Sequence, residues 1–129
     1  MKVVIDTNVL VSALLKPHSK PAIILNLVIS GKCIPCFDSR IFDEYERVLS
    51  RKKFGFDISL VDLFLHYLEK TGIFVTAAHS IFSLPDPFDI PFYEVAISTD
   101  AVIITGNKKH FPVDNIDVFS PSEFLEKYE

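Results

Sequence analysis

Residues 2–15, KVVIDTNVLVSALL, join a predicted strand to a predicted helix and place an acid at the junction. Lys2–Ile5 is a short apolar run rich in β-branched side chains, which is typical of a strand covered on both faces. Thr7–Leu15 is predicted to be a buried helix that ends near Pro17, because proline does not continue a helix. Asp6 therefore lies between two elements that both belong to the core, and its carboxylate needs an explanation.

The same alternation of short apolar strands and helices continues to the end of the chain. Further strands are predicted at residues 33–37, 73–75, 102–105 and 116–119. Further helices are predicted at residues 21–30, after a cap at Asp38 or Ser39, at 59–70, at 92–99 and after a capping box at 120–123. Strands that alternate with helices form parallel sheets. We therefore expect one domain over residues 1–129, an α/β/α sandwich around a central, mainly parallel sheet of four to five short strands.

Apolar stripes predict which helix faces are buried. In the third helix, five residues at helical spacing form the stripe: Ile41, Phe42, Tyr45, Val48 and Leu49. In the fourth helix, five residues are expected to face the core: Leu60, Leu63, Phe64, Tyr67 and Leu68. Residues 84–91 are rich in proline and aspartate and are predicted to form the loop that leads into the helix at Phe92.

Composition excludes several classes of protein. Hydrophobic residues make up 49% of the chain and charged residues 23%, so the chain can form a core and is not of the disordered type. No apolar run reaches the ~18 residues of a membrane span, and no secretory signal is recognisable, so we expect a cytoplasmic protein without membrane contact. The net charge of −4 argues against a broad basic surface for nucleic acid, but a local acidic site can still meet phosphates through a cation.

The two cysteines, Cys33 and Cys36, form a CxxC pair inside a short apolar run. Such a pair can be a redox centre or half of a zinc site. A redox pair is expected to open a helix, and zinc needs two more ligands. The four histidines are scattered singly: His18, His66, His79 and His110. We therefore predict two buried, apolar cysteines.

Polar residues follow two of the predicted strands, at the edge where a parallel sheet binds its ligands. Asp6 follows the first strand, and Gly106 and Asn107 follow the strand at 102–105. An aspartate before a helix is also a good N-cap, so capping explains Asp6 alone as well as a ligand site does. Capping does not explain why further acids should gather at the same edge.

Two other segments supply candidate acids. In the third helix, Glu44 and Glu46 lie on opposite flanks of the apolar stripe, and periodicity does not choose between them. Asp89 precedes the helix at Phe92 as a cap or a ligand, and Glu94 follows one turn later. Carboxylates gathered in one crevice repel each other unless a cation neutralises them. Oxygen ligands favour Mg²⁺ or Mn²⁺, and both suit phosphate-ester chemistry.

These segments, in this order, resemble the PIN-domain family over nearly the whole chain, in particular its single-domain prokaryotic group of toxins from toxin–antitoxin pairs. VVIDTNVLVSALL resembles the family's opening, and IFDEYERVLSR resembles its helix with an acid before tyrosine. LPDPFDIPFYEVAISTDAVIITGNKKHF resembles its acidic stretch with the following helix and strand, and FSPSEFLEKY resembles its closing strand and helix. The ordered set is specific, whereas the tripeptide DTN alone is a weak signal.

The resemblance implies a metal-dependent ribonuclease that cleaves single-stranded RNA, acts as a toxin controlled by a small antitoxin protein, and forms a homodimer. It implies that Asp6, Glu44 and Asp89 are catalytic and bind Mg²⁺ or Mn²⁺, and it selects Glu44 over Glu46. Asn107 stands at the position of a fourth metal ligand. Seven more residues are expected to support the ligands or to contact phosphate: Asn8, Thr105, Asp86, Glu94, Arg47, Arg51 and Lys108.

Two positions depart from the family pattern. The family's acid after Thr-Gly is Asn107 here, and one acid of its DPDD segment is Phe88. Both changes remove negative charge, and the first weakens the case for a second metal ion. The alternative is a degenerate PIN fold that binds RNA or a protein partner without cleavage. A phosphatase fits less well, because the sequence has neither a phosphate-binding glycine loop nor a DxD pair.

Overall fold

Five parallel strands form one sheet in the order β3-β2-β1-β4-β5 in the computed structural model, which describes residues 1–80 and 83–128. The strands are β1 (Lys2–Ile5), β2 (Ile34–Phe37), β3 (Ile73–Phe74), β4 (Val102–Ile104) and β5 (Val118–Phe119). The helices are α1 (Thr7–Leu15), α2 (Lys20–Ile29), α3 (Ser39–Leu49), α4 (Ile58–Thr71), α5 (Ile90–Thr99) and α6 (Pro121–Tyr128). Short 3₁₀ turns lie at Lys52–Phe54, Pro87–Asp89 and Lys108–His110. The predicted sandwich is confirmed, with a sheet that is parallel throughout the described strands.

The register of the sheet brings the ends of β1 and β4 together. Val3 pairs with Pro35 of β2 on one side of β1, and Ile5 pairs with Ile104 of β4 on the other. The backbone N–H of Asp6 extends this second ladder by donating to the carbonyl of Ile104 over 2.9 Å. From β1 the chain first builds the sheet outward through β2 and β3, then returns to add β4 and β5 on the other side. The crevice between β1 and β4 is therefore the point where strand order reverses, which is where open α/β sheets bind ligands.

Helices cover the sheet on both faces. The connections from β1 to β3 run in one direction across the sheet, and the connection from β3 to β4 runs back. Because crossovers between parallel strands are as a rule right-handed, α5 is expected on the face opposite to α1 through α4. Helix α5 packs against β1, β2 and β4, and α6 contacts β5 and α2. With both faces covered, Val3, Val4 and Ile103 are fully buried.

The buried face of α4 differs from the prediction. Its buried residues are Val61, Leu65 and Leu68, whereas Leu60 and Leu63 are exposed. Apolar side chains cover more than half of the circumference of this helix, so periodicity did not identify the face that the sheet covers. In α3 the predicted stripe is confirmed, because its buried residues are Ile41, Tyr45 and Leu49.

Local sequence signals explain several element boundaries. The capping box that opens α6 is present, since the backbone N–H of Ser120 donates to Glu123 Oε1 and the N–H of Glu123 donates to Ser120 Oγ. Helix α5 begins at Ile90, two residues earlier than predicted, and the predicted loop before it contains the 3₁₀ turn Pro87–Asp89. Cys33 and Cys36 are buried and free of a disulfide, as predicted. None of the described helices has the length and apolarity needed to cross a membrane.

Candidate metal centre

Asp6 is buried at the carboxyl end of β1, with 6% of its surface exposed. It occupies the N-cap position of α1, yet its side chain makes no capping hydrogen bond. Its Oδ2 instead accepts a 2.7 Å hydrogen bond from the hydroxyl of Thr105, the first residue after β4. The geometry therefore does not support capping as the explanation for this acid, and the carboxylate faces the crevice between β1 and β4.

The turn after β4 is tied to the start of α1. The fully buried Thr105 also accepts, through Oγ1, a 3.1 Å hydrogen bond from the backbone N–H of Asn107. Asn8 Oδ1 accepts the backbone N–H of Gly106 at 3.3 Å. A Cβ at position 106 would lie 3.3 Å from the same Asn8 oxygen, so glycine permits this close approach. These contacts hold the polar residues that follow the two strands beside each other.

Glu44 reaches the same crevice from α3. Its Oε2 accepts a hydrogen bond from the hydroxyl of Thr7, and its Oε1 lies 4.0 Å from the guanidinium of Arg47. The next residue, Tyr45, is buried, and its hydroxyl donates to the carbonyl of Ile5 at the end of β1. This bond fixes α3 against β1 and brings Glu44 close to Asp6. By contrast, Glu46 is exposed.

Asp89 enters the crevice at the start of α5, and 8% of its surface is exposed. Like Asp6, it stands at the N-cap of a helix without capping through its side chain. Nδ1 of His110 lies 3.0 Å from Asp89 Oδ2, but the pair lacks the alignment of a hydrogen bond. Within the described residues, Asp89 Oδ2 is the one buried side-chain oxygen or nitrogen atom without a hydrogen-bond partner. An unsatisfied buried oxygen of this kind needs an explanation, such as a catalytic role, a bound ion or water, or strain.

Burial and mutual repulsion raise the pKa values of both aspartates. For Asp89, burial raises the pKa to about 6, with further contributions from the charges of Asp6, Asp86 and Glu44 that outweigh the opposing effect of His110. The pKa of Asp6 is raised by burial and by Glu44, although the hydrogen bond from Thr105 lowers it. These carboxylates therefore share one electrostatic environment that favours a positive charge.

The carboxylates do not form a complete coordination shell as they stand. Across residues 1–80 and 83–128, no three acidic, histidine or cysteine side chains converge into a group ready to hold an ion. Each acid has a separate neighbour: the hydroxyl of Thr105 for Asp6, that of Thr7 for Glu44, and the imidazole of His110 for Asp89. The set is rich in oxygen donors, which is the chemistry that hard divalent ions select.

The two secondary acids have structural partners. Asp86 accepts the backbone N–H of Phe88 at 3.0 Å and so shapes the turn that presents Asp89. Glu94 is almost completely buried, and its Oε1 lies 2.8 Å from the guanidinium of Arg40. Arg40 also pairs with Asp38, the N-cap of α3, at 2.7 Å. Glu94 therefore joins α5 to α3 through an ion pair rather than standing as an uncompensated charge.

The predicted phosphate-contacting residues occupy exposed positions. Arg47 lies beside Glu44 on α3, and Arg51 follows the end of that helix. Lys108 pairs with Glu123 of α6, with its Nζ 3.1 Å from Oε1. Of the three, Arg47 is the one that contacts a predicted metal ligand.

Two residues near the acids were not singled out from the sequence. His110 was counted among scattered histidines, yet it contacts Asp89 and also lies 3.0 Å from Asn107, through Nε2 and Nδ2. Its closeness to the acids depends on the 3₁₀ turn Lys108–His110, which the sequence pattern did not predict. Phe88 was noted only as a missing acid, and its side chain is 78% exposed directly beside Asp89. The sequence did offer a signal for Phe88, because an aromatic residue beside predicted acidic ligands can mark a binding surface when it is exposed.

The chain is similar to known proteins in both sequence and fold. Residues 2–109 match the family model described as PIN domain. The chain is 31% identical, over 144 aligned positions, to an uncharacterized protein of Methanocaldococcus jannaschii, covering all of this chain and 92% of that protein. The fold of the present chain is similar to that of a chain in the crystal structure of VapBC2 from Rickettsia felis bound to a DNA fragment from their promoter. That likeness has a TM-score of 0.66 at 23% identity, and it covers 92% of this chain and 97% of the other.

Proposed function

We propose that this chain, which belongs to the PIN-domain family, is a metal-dependent endoribonuclease that hydrolyses single-stranded RNA. The proposal assigns Asp6, Glu44 and Asp89 as the catalytic acids. It takes the reaction from the family, in which hydrolysis leaves a 3′-hydroxyl and a 5′-phosphate. The assignment to this chain rests on its own side chains at the β1–β4 crevice.

One observation carries the proposal: Asp6 and Asp89 are both buried at helix N-caps and neither caps its helix. Burying a carboxylate costs stability, and neither acid offsets that cost by capping its helix. Asp38 and Asp57 of the same chain show what structural caps look like, since each accepts a backbone N–H through its carboxylate. We therefore assign the carboxylates of Asp6 and Asp89 to the binding of a positively charged partner.

The residues fit a divalent cation, Mg²⁺ or Mn²⁺. The unsatisfied Oδ2 of Asp89 offers a buried anionic oxygen, and Asp6 and Glu44 add two carboxylates from other elements. We propose that these three residues hold the ion, with Asn107 beside them. When bound, such an ion stabilises negative charge on the phosphoryl oxygens and makes a water a better nucleophile.

The remaining residues orient the ligands and the substrate. Thr105 fixes the Asp6 carboxylate, and Thr7 together with Tyr45 fixes the position of Glu44. Arg47 lies beside Glu44, where a guanidinium can pair with phosphate, and Arg51 and Lys108 extend the positive surface at the rim. The exposed ring of Phe88 provides a surface on which a base can stack.

We further propose that the enzyme acts in the cytoplasm as the toxin of a toxin–antitoxin pair, controlled by a small antitoxin protein. Its sequence resembles the toxin group of the PIN family, and its fold is similar to that of a VapBC2 chain. The exposed Leu60 and Leu63 of α4 offer apolar surface for a second copy of the chain in a homodimer. A small open reading frame beside this gene would support the toxin role.

A cleavage assay on unstructured RNA tests the proposed activity. Purified protein should cut the RNA with Mn²⁺ or Mg²⁺ present and should stop cutting when a chelator is added. The new ends should carry 5′-phosphates, which a phosphate-dependent exonuclease detects. Absence of cleavage at any metal concentration, in protein shown to be folded, would refute the proposal.

A second candidate function is RNA or protein binding without cleavage. The contact between His110 and Asp89 favours it, because an imidazolium could compensate the acids in place of a metal. Asn107 favours it as well, since it supplies no charge where the family has an acid. RNA binding that is independent of divalent ions, with no cleavage, is the result expected for this function.

A further inference from the structure

His110 bridges two predicted metal-site residues. Its Nδ1 lies 3.0 Å from Oδ2 of Asp89, and its Nε2 lies 3.0 Å from Nδ2 of Asn107. The backbone N–H of His110 donates to the carbonyl of Asn107 at 3.1 Å and closes the 3₁₀ turn. This turn fixes the backbone from which the imidazole, 39% exposed, reaches Asp89 and Asn107.

The contact between His110 and Asp89 has the spacing of two ligands of one ion. A hydrogen bond at 3.0 Å would satisfy Asp89 Oδ2, yet that buried oxygen lacks an aligned donor. Two donor atoms about 2.1 Å from an ion and at right angles to each other lie about 3 Å apart. The nitrogen and the oxygen therefore lie at a ligand–ligand distance without the alignment of a hydrogen bond.

Asn107 can orient the imidazole for this role. A metal-binding histidine usually donates its second ring N–H to a neighbouring acceptor. Turning the Asn107 amide by half a rotation exchanges its oxygen and nitrogen, so that Oδ1 accepts from Nε2–H of His110. The Nδ1 lone pair then faces Asp89. In this arrangement Asn107, which stands at the family's fourth acidic position, does not bind the ion itself but orients the imidazole of His110.

Resting on the proposed function, we propose that His110 is a nitrogen ligand of the divalent ion held by Asp6, Glu44 and Asp89, and that Asn107 is a positioning residue that orients it. The proposal revises the role expected for Asn107 from ligand to support. An imidazole among carboxylates makes the donor set softer. The site therefore prefers Mn²⁺ over Mg²⁺ more strongly than an all-oxygen site does.

The competing role of His110 is that of an internal counter-ion. In that role the imidazolium neutralises Asp89 and occupies the place of the ion. The two roles predict opposite effects of removing the ring. Loss of a ligand weakens Mn²⁺ binding, whereas loss of a competing cation strengthens it.

Pulsed electron paramagnetic resonance of protein-bound Mn²⁺ tests the proposal. Protein labelled with ¹⁵N at histidine should show a ¹⁵N coupling to Mn²⁺, and His110→Gln should remove it. Calorimetric titration should show at least about tenfold weaker Mn²⁺ binding in His110→Gln, with a smaller loss for Mg²⁺. Asn107→Ala should keep the coupling but weaken binding. His66→Gln is the matched control, since His66 is exposed on α4, and it should change neither quantity.

The outcomes separate this proposal from the proposed function. Mn²⁺ bound without histidine coupling, or bound more tightly by His110→Gln, would overturn the ligand role of His110 and leave the nuclease proposal intact. Native protein that binds no Mn²⁺ would contradict the proposed function and the ligand role together. Circular dichroism of each variant verifies that the fold is retained.

Discussion

The hydroxyl of Thr105 donates a 2.7 Å hydrogen bond to Oδ2 of Asp6, across 99 positions of sequence and between the carboxyl ends of β4 and β1. Both residues are buried, and Asp6 forms no cap on the helix that it precedes. The bond lowers the pKa of Asp6 against the effect of burial. It therefore favours the ionised form of the Asp6 carboxylate at the crevice.

Thr105→Val tests this support. The valine side chain has a similar shape but no hydroxyl, so Asp6 loses its donor and the backbone N–H of Asn107 loses its acceptor. We expect the free energy of unfolding to fall by about 1–3 kcal/mol, because buried polar groups are left without partners. Urea denaturation measures the loss, and Thr105→Ser, which keeps the hydroxyl, should retain most of the stability. Equal stability of the valine and native proteins would show that the bond contributes nothing.

The raised pKa of Asp89 predicts how the stability of the metal-free protein depends on pH. Its folded pKa of about 6 exceeds the ordinary value of 3.8, so its proton favours the folded state. The contribution is fully present below pH 3.8 and is lost as the pH rises through 6. The difference between these two pKa values corresponds to a loss of about 3 kcal/mol.

Asp89→Asn should remove this dependence. In chelator, the variant should become more stable than the native protein as the pH rises from about 4 to 7.5. Adding Mn²⁺ should reverse the order at pH 7.5, because the ion stabilises the native carboxylate. Thermal unfolding at a series of pH values measures both effects. A stability difference that stays constant across this range would contradict the assigned pKa shift.

Asn107→Asp should tighten Mn²⁺ binding. A unit charge pair at about 4 Å and an effective dielectric constant of about 20 is worth about 4 kcal/mol before desolvation. If a quarter of this energy remains after desolvation, the affinity for Mn²⁺ rises about fivefold. The direction is the same whether the new carboxylate binds the ion directly or accepts a hydrogen bond from His110. Calorimetry at fixed ionic strength measures the change.

The matched control for this variant is Asn26→Asp, which adds the same charge at an exposed position of α2. It should leave Mn²⁺ affinity unchanged. If Asn107→Asp binds Mn²⁺ no better than the native protein, the side chain at position 107 does not act on the metal centre. If it binds better and still cleaves no RNA, the non-catalytic function takes precedence.

Phe88→Ala should weaken RNA binding without affecting the metal. The ring is 78% exposed beside Asp89, so a base can stack on it when RNA enters the crevice. Stacking is worth about 1–3 kcal/mol per base, so KM should rise between about fivefold and about a hundredfold with little change in kcat. Phe88→Tyr keeps the aromatic face and should restore KM. Unchanged KM in Phe88→Ala would exclude the ring from RNA binding.

The sequence was informative where local pattern and physical cause coincide. Lys2–Ile5 and Thr7–Leu15 form the predicted strand and helix, since their apolar runs are bounded by Asp6 and Pro17. The parallel topology followed from the alternation of strands and helices and is confirmed. The buried face of α4 was predicted only in part. Leu68 is buried as expected, but Leu60 and Leu63 are exposed, because a helix that is apolar on most sides has no unique stripe.

The local sequence pattern could not predict which residues far apart in the chain lie close together in the fold. Periodicity left Glu44 and Glu46 open, and only the resemblance selected Glu44. In the structure the bond from Tyr45 to the carbonyl of Ile5 fixes that helix against β1. His110 was overlooked because its closeness to Asp89 depends on a 3₁₀ turn and on the packing of α5, which no sequence spacing reveals.

Comparing two equivalent substitutions, Asp6→Asn and Asp57→Asn, tests the central claim most directly. Asp57 is an exposed cap whose carboxylate accepts the N–H of Ser59, and asparagine caps as well as aspartate does. The measurement is the rate of Mn²⁺-dependent cleavage of unstructured RNA by each folded, purified variant. We predict that Asp57→Asn retains native activity and that Asp6→Asn abolishes it while leaving the metal-free protein at least as stable, because repulsion with Glu44 is relieved. Full cleavage by Asp6→Asn would contradict the assignment of the crevice acids as a metal centre.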